Sequence, residues 1–239
     1  MNSENQPIIT APETPEYEVP WKSIDNWISI FLLALVYIGI VITVEKFGSQ
    51  IIQSASLILV QLVYLLPLIV IFTYRRINPK ALGFGSFKLS TLAIGCGMLI
   101  VSYLIITIHN LILSSLGMYT QGEEILSLFD TMESPVWFIL VGAVLAPIVE
   151  ELFFRGFLFQ GFRQRYGWVK GLLLSSAIFA AAHLDPAAFI PTFILGSLLA
   201  YMYHRTNSVW LGVILHVSIN TLGLFMAYVA THLPGFIPV

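Results

Sequence analysis

The chain of 239 residues is 57% apolar and only 10% charged, with a mean hydropathy of +0.86. That composition lies far from the soluble average and describes an integral membrane protein. A net charge of −2 leaves no basic footprint for nucleic acid, and a single cysteine, Cys96, excludes an internal disulfide.

Residues 1–26 are polar and acidic, with Glu4, Glu13, Glu16 and Glu18 and several prolines, and lack the basic start and apolar run of a cleavable signal. They are expected to form a disordered cytoplasmic tail. Apolar runs then predict helices over 27–44, 51–74, 89–116, 136–159, 170–184, 187–204 and 208–231. The resulting fold class is all-α, a polytopic transmembrane bundle of seven to eight helices spanning 27–231, with a catalytic core over 136–231 and a short tail over 232–239. The fifth run is short and ends at Asp185-Pro186, a turn or a break in a longer segment. Between the third and fourth runs, Gly117 to Ser134 contains a stretch suited to a short amphipathic helix along the interface. Gly95, Gly97, Gly196, Gly212 and Gly223 are expected at close helix contacts, and His109 and Asn110 in interhelical hydrogen bonds.

Basic residues set the orientation. With seven spans and the N-terminus inside, Lys22, Arg75, Arg76, Lys80, Lys88, Arg163, Arg165, Lys170 and Arg205 all fall on the cytoplasmic side, against Lys46 alone outside. His204 and Arg205 close a span on that basic side, where snorkelling to headgroups is expected. Low charge and short loops suit a bacterial plasma membrane.

Against this background, charges inside the spans stand out, since each costs roughly 2.5–3.5 kcal/mol at the bilayer centre. Glu150, Glu151 and Arg155 interrupt the fourth run, His183 closes the fifth, and His216 and Asn220 lie in the last. Counted from Arg163, Lys170 and Asn207, the residues Glu150, His183 and Asn220 all sit about 20 Å along their helices, and His216 about 14 Å. Three separate spans therefore bring polar groups to similar depth.

Spacing within the spans assigns partners. Glu151 and Arg155 are one turn apart and suit an ion pair that neutralises both, while Glu150 points about 100° away and is left for another task. His216 and Asn220 share a face. Pro147 lacks an N–H and loosens the helix one turn before the acidic pair. A carboxylate, two imidazoles and a carboxamide supply a general base, groups that hold water and donors for an oxyanion, which reads as a hydrolase site with water as nucleophile. A proton-coupled transporter relaying through Glu150 and the histidines is the alternative, and a non-catalytic scaffold a third. No internal repeat supports the transporter.

These motifs, Glu150-Glu151-x-x-x-Arg155, Phe179-x-x-x-His183 and His216-x-x-x-Asn220, occur in order and together resemble the signature of the CPBP family, the intramembrane proteases of CAAX processing and bacteriocin-related functions, also called the Abi family. The resemblance implies an all-helical fold with a cytoplasm-facing cavity and hydrolysis of peptide bonds within the membrane. It also implies that Glu150 activates water, that His183 and His216 bind or polarise it, and that Asn220 stabilises the oxyanion. Glu151 and Arg155, with Phe179, would support the architecture. Partners implied are membrane lipids and a peptide or membrane-associated protein substrate. Glu150, His183 and His216 match a catalytic zinc set in ligand type, yet no His-Glu-x-x-His is present and the histidines sit on separate spans. The metal-free reading is preferred, with zinc as the open alternative.

Overall fold

The computed structural model describes residues 18–47, 50–131 and 136–232. Among the described residues eight helices follow in order: α1 Ser23–Phe47, α2 Gln50–Tyr74, α3 Leu89–Ser115, α4 Gln121–Thr131, α5 136–166, α6 Trp168–Ala181, α7 Phe189–Thr206 and α8 Val209–His232. Seven coincide with the apolar runs, and α4 is the short helix of the stretch after Gly117. No strand occurs among the described residues. Four helices among the described residues, α1, α3, α5 and α8, are long and apolar enough to cross a membrane.

Burial separates these four into two classes. In α1 and α3 only 11% of the most apolar window is buried inside the protein, against 39% in α5 and α8. Their outward faces therefore present Phe31, Leu35, Ile100, Leu104 and Ile108 to the surroundings, as lipid-facing helices do. The inner helix α5 is the axis of the core. Phe153, Phe154, Phe157, Leu158, Phe159 and Phe162 are all essentially inaccessible, so the phenylalanine cluster is internal packing rather than lipid contact. Around it pack Trp21, Leu68 and Phe72 on one side and Tyr203, Val209 and Val213 on the other.

α5 is not a plain α-helix. It switches to i→i+5 bonding, a π-helix, over Val141–Leu145 and again over Glu151–Phe159. Such wide turns are uncommon and concentrate at functional sites. The helix also continues through Gln160–Tyr166, past the expected end at 159, and stops at Gly167, whose φ of 82° needs a glycine.

Several expectations are corrected. Of the tail expected over 1–26, residues 1–17 lie outside the described residues, but α1 begins at Ser23 and the segment before it is packed. Trp21 is buried between Phe72 and Phe157, at ring distances of 5.6 and 5.3 Å, and the Val19 N–H donates to Gln164. Among the described residues His109 pairs with its own neighbour Asn110 at 3.2 Å and not with another helix. Gly97 and Gly223 face open space, whereas Gly95 and Gly196 do sit at tight contacts, against Leu215 and against Ser176 with Phe179. His204 stacks on Trp168 at 4.7 Å and lies 3.4 Å from Arg163, so it packs against protein at the helix end.

Candidate active site

The acidic pair on α5 meets α8 through one imidazole. His216 is buried and its Nδ1 lies 3.0 Å from Glu151 Oε1, while its Nε2 lies 3.8 Å from Glu150 Oε2. An ionised carboxylate only accepts, so Nδ1 carries a proton toward Glu151, and when the ring is neutral the Nε2 lone pair faces Glu150. Glu151 is wholly buried, and the same Oε1 is 2.8 Å from Arg155 Nη1. That nitrogen lies off the hydrogen-bond direction, which makes the contact an ion pair first. Burial of both charges is tolerable only because each neutralises the other.

Arg155 is in turn fixed from α6 and α7. Its guanidinium carbon lies 4.3 Å from the centre of the Phe179 ring, a cation–π contact, and Nη2 donates to the Gly196 carbonyl at 3.5 Å. A Cβ at Gly196 would lie 3.1–3.3 Å from Phe179 and Ser176, tighter than ordinary packing, so the glycine eases the approach of α7. Gly212 has the same function for the acid: a Cβ there would strike Glu151 Oε2. The sequence expectation of a tight contact at Gly212 holds, but the contact is with a carboxylate and not with helix backbone.

His183 is placed by the way α6 ends. The Ala182 N–H returns to Ile178 and the His183 N–H to Ala180, so neither of these backbone donors reaches the Phe179 carbonyl. His183 Nδ1 supplies it at 2.8 Å. The last carbonyls of a helix need such outside donors, and the Phe-x-x-x-His spacing puts one in reach. Nε2 of His183 is consequently left for other partners, as in His216. Both imidazoles meet the Phe179 ring edge-on, at 4.9 and 5.8 Å. His183 itself is exposed, and among the described residues no ion pair or hydrogen bond joins it to Glu150.

Asn220 sits one turn beyond His216, with Nδ2 donating to the Gly142 carbonyl at 3.0 Å. The reason lies in α5. The Ala146 N–H bonds Val141 in the wide turn, and the next residue, Pro147, has no N–H to offer Gly142. Asn220 fills that gap and ties α8 to the turn that precedes Glu150. Its second amide proton remains available for chemistry.

The predicted residues thus fall into one connected set, Glu150, His216, Glu151, Arg155, Phe179 and His183, with Asn220 joined through Gly142. Sequence reasoning missed Gly142 and the acid-contacting part of Gly212. Pro147 three residues before Glu150 was the one signal that led toward the former. Among the described residues, no three His, Cys, Asp or Glu side chains gather so as to hold a metal ion, so the donor set does not fit zinc as Glu150, His183 and His216 stand.

Two cavities flank the end of α6. One of about 280 Å³ is apolar, bounded by Leu33, Tyr37, Tyr64, Phe153, Phe154 and Ile178. A second of about 240 Å³ lies against Asp185, Pro186 and Phe189. Ala181 and Leu184 line both, and the walls of these two include none of Glu150, His216 and Asn220.

Comparison with known proteins bears on this same region. Residues 132–222 match the family described as type II CAAX prenyl endopeptidase Rce1-like. Over 110 residues the chain is 26% identical to a Bacillus subtilis protein named "Putative membrane peptidase YdiL", covering 46% of this chain and 45% of that one. Over 86 residues it is 36% identical to an "Uncharacterized 24.3 kDa protein" of Escherichia coli, covering 34% of this chain and 40% of the other. The chain therefore spans less than half the length of these relatives. No solved structure matches.

Proposed function

We propose, from the match of residues 132–222 to the Rce1-like family, that the protein is an intramembrane endopeptidase that hydrolyses peptide bonds with a glutamate-activated water. The observation that carries this reading is the pairing of Glu150 Oε2 with His216 Nε2 at 3.8 Å, with the other face of that imidazole held by Glu151. A gap of this size is too long for a direct hydrogen bond and suits two acceptors that share one water.

In the proposed reaction Glu150 takes a proton from that water as the oxygen attacks the scissile carbonyl carbon. The carbonyl becomes an oxyanion, for which the second N–H of Asn220 is one donor and His183 Nε2, when protonated, another. Collapse breaks the C–N bond, and the proton on Glu150 passes to the departing amine. The products are a carboxylic acid and an amine, and water is the only co-reactant. Glu151 and Arg155 touch neither substrate nor water in this scheme; they hold His216 in its tautomer.

The substrate class proposed is a peptide or membrane-associated protein reaching the site from the cytoplasmic side, in a bacterial plasma membrane with the N-terminus inside. The bias of basic residues supports that orientation. The reading uses no metal ion. Membrane-associated peptides compared between cells with the wild-type protein and with Glu150→Gln test it. Cleaved species that vanish in the variant are expected; identical peptide pools with equal protein abundance would overturn the assignment.

A further inference from the structure

We propose that Asn26 of α1, more than a hundred residues before the matched segment, is a positioning residue that holds the wide-turn register of α5 and through it the contact between Glu151 and His216. Asn26 is completely buried, and its Nδ2 donates to the Leu158 carbonyl at 2.9 Å, within the second π stretch. Its Oδ1 is buried without a partner among the described residues. An amide kept in the core with its oxygen unsatisfied is retained for what its N–H group does.

The surroundings are shaped around that one bond. A Cβ at position 161 would collide with both polar atoms of the Asn26 amide, so Gly161 makes the space for it. Beside it, Gln160 Nε2 donates to the Gly156 carbonyl and, at 3.0 Å, to Ala81. Two side-chain amides thus reach carbonyls in the same wide-turn segment, and Asn220 does so in the first one. Wide turns aim carbonyls differently from an α-helix, and outside donors that fit those directions favour the i→i+5 form.

The register has a chemical consequence. Glu151 is the first residue of the second π stretch, and Arg155 lies in its middle. A return to i→i+4 bonding between them and Leu158 would rotate one charge relative to the other and to His216. Asn26, with Asp25 and Ser29, forms the buried face of α1 at this level. It thereby links the N-terminal helix to the acid pair without touching it. In its effect on turnover this inference rests on the endopeptidase reading; in its effect on His216 it does not.

The test is the ring-nitrogen NMR spectrum of His216 in the full chain in lipid nanodiscs, assigned among the five histidines by His216→Gln. Asn26→Leu keeps the size and removes the donor. Gly161→Ala leaves Asn26 in place and drives its amide off Leu158. Both variants, while folded by circular dichroism and gel filtration, should move the His216 signals away from their wild-type positions and leave those of His109 unmoved. With a peptide released by the wild type, kcat should fall about tenfold or more at unchanged KM. His216 signals unmoved in either folded variant would overturn the proposal. Moved signals with no wild-type cleavage would leave the positioning role standing and sink the endopeptidase reading alone.

Discussion

Glu151 is the residue on which the site turns. One oxygen is shared by Arg155 and His216, at 2.8 and 3.0 Å, and the other is pressed against Gly212. Removing the cation should therefore cost far more than a surface ion pair. Arg155→Ala is expected to lose about 3–5 kcal/mol, because an uncompensated charge stays buried. Its steady-state abundance and melting temperature should both drop; a variant that accumulates and melts like the wild type contradicts the structural role. Gly212→Ala tests the same carboxylate from the other side. Displacing Glu151 from a filled site should cost about 1–3 kcal/mol, and thermal unfolding in detergent measures it. The i,i+4 pairing of Glu151 with Arg155 was legible in the sequence because local spacing dictates it. The bond from Glu151 to His216 was not, since no spacing relates positions 65 apart.

At the scale of single elements, α5 shows where reading by period stops. Its apolar run predicted a helix, but an i→i+5 register leaves no mark in composition, and only Pro147 hinted that bonding was disturbed. The structure gives that hint a consequence: Gly142 loses a donor and Asn220 replaces it. Pro147→Ala restores an N–H that competes for Gly142. Since an interior proline costs a helix about 3 kcal/mol, the variant should melt at least as high as the wild type. It should nonetheless turn over substrate more slowly, as Asn220 is released. A variant both unaltered in rate and unaltered in stability would show that Asn220 does not depend on this carbonyl. The end of α6 is the simpler case, where Phe-x-x-x-His was readable as spacing but its cause, a carbonyl left open by the final turn, needed the backbone path.

Across the whole molecule, the positions of seven helices followed from hydrophobic length alone, because a chain in lipid must satisfy its backbone within each segment. What could not be read was the role of the N-terminal region. Its prolines and glutamates suggested a loose tail, yet Trp21 and Asn26 pack under α5, and nothing in local composition separates a docked segment from a free one. The candidate site was legible as three motifs at one depth; their joining through Phe179 and His216 is a product of packing. All of it serves the proposal that Glu150 is the base. The most direct measurement is turnover of a peptide released by the wild type, by purified wild-type and Glu150→Gln proteins in proteoliposomes. A loss of about 10²-fold or more is expected, with melting temperature unchanged. Turnover within a few-fold of wild type, in a folded Glu150→Gln protein, would contradict it.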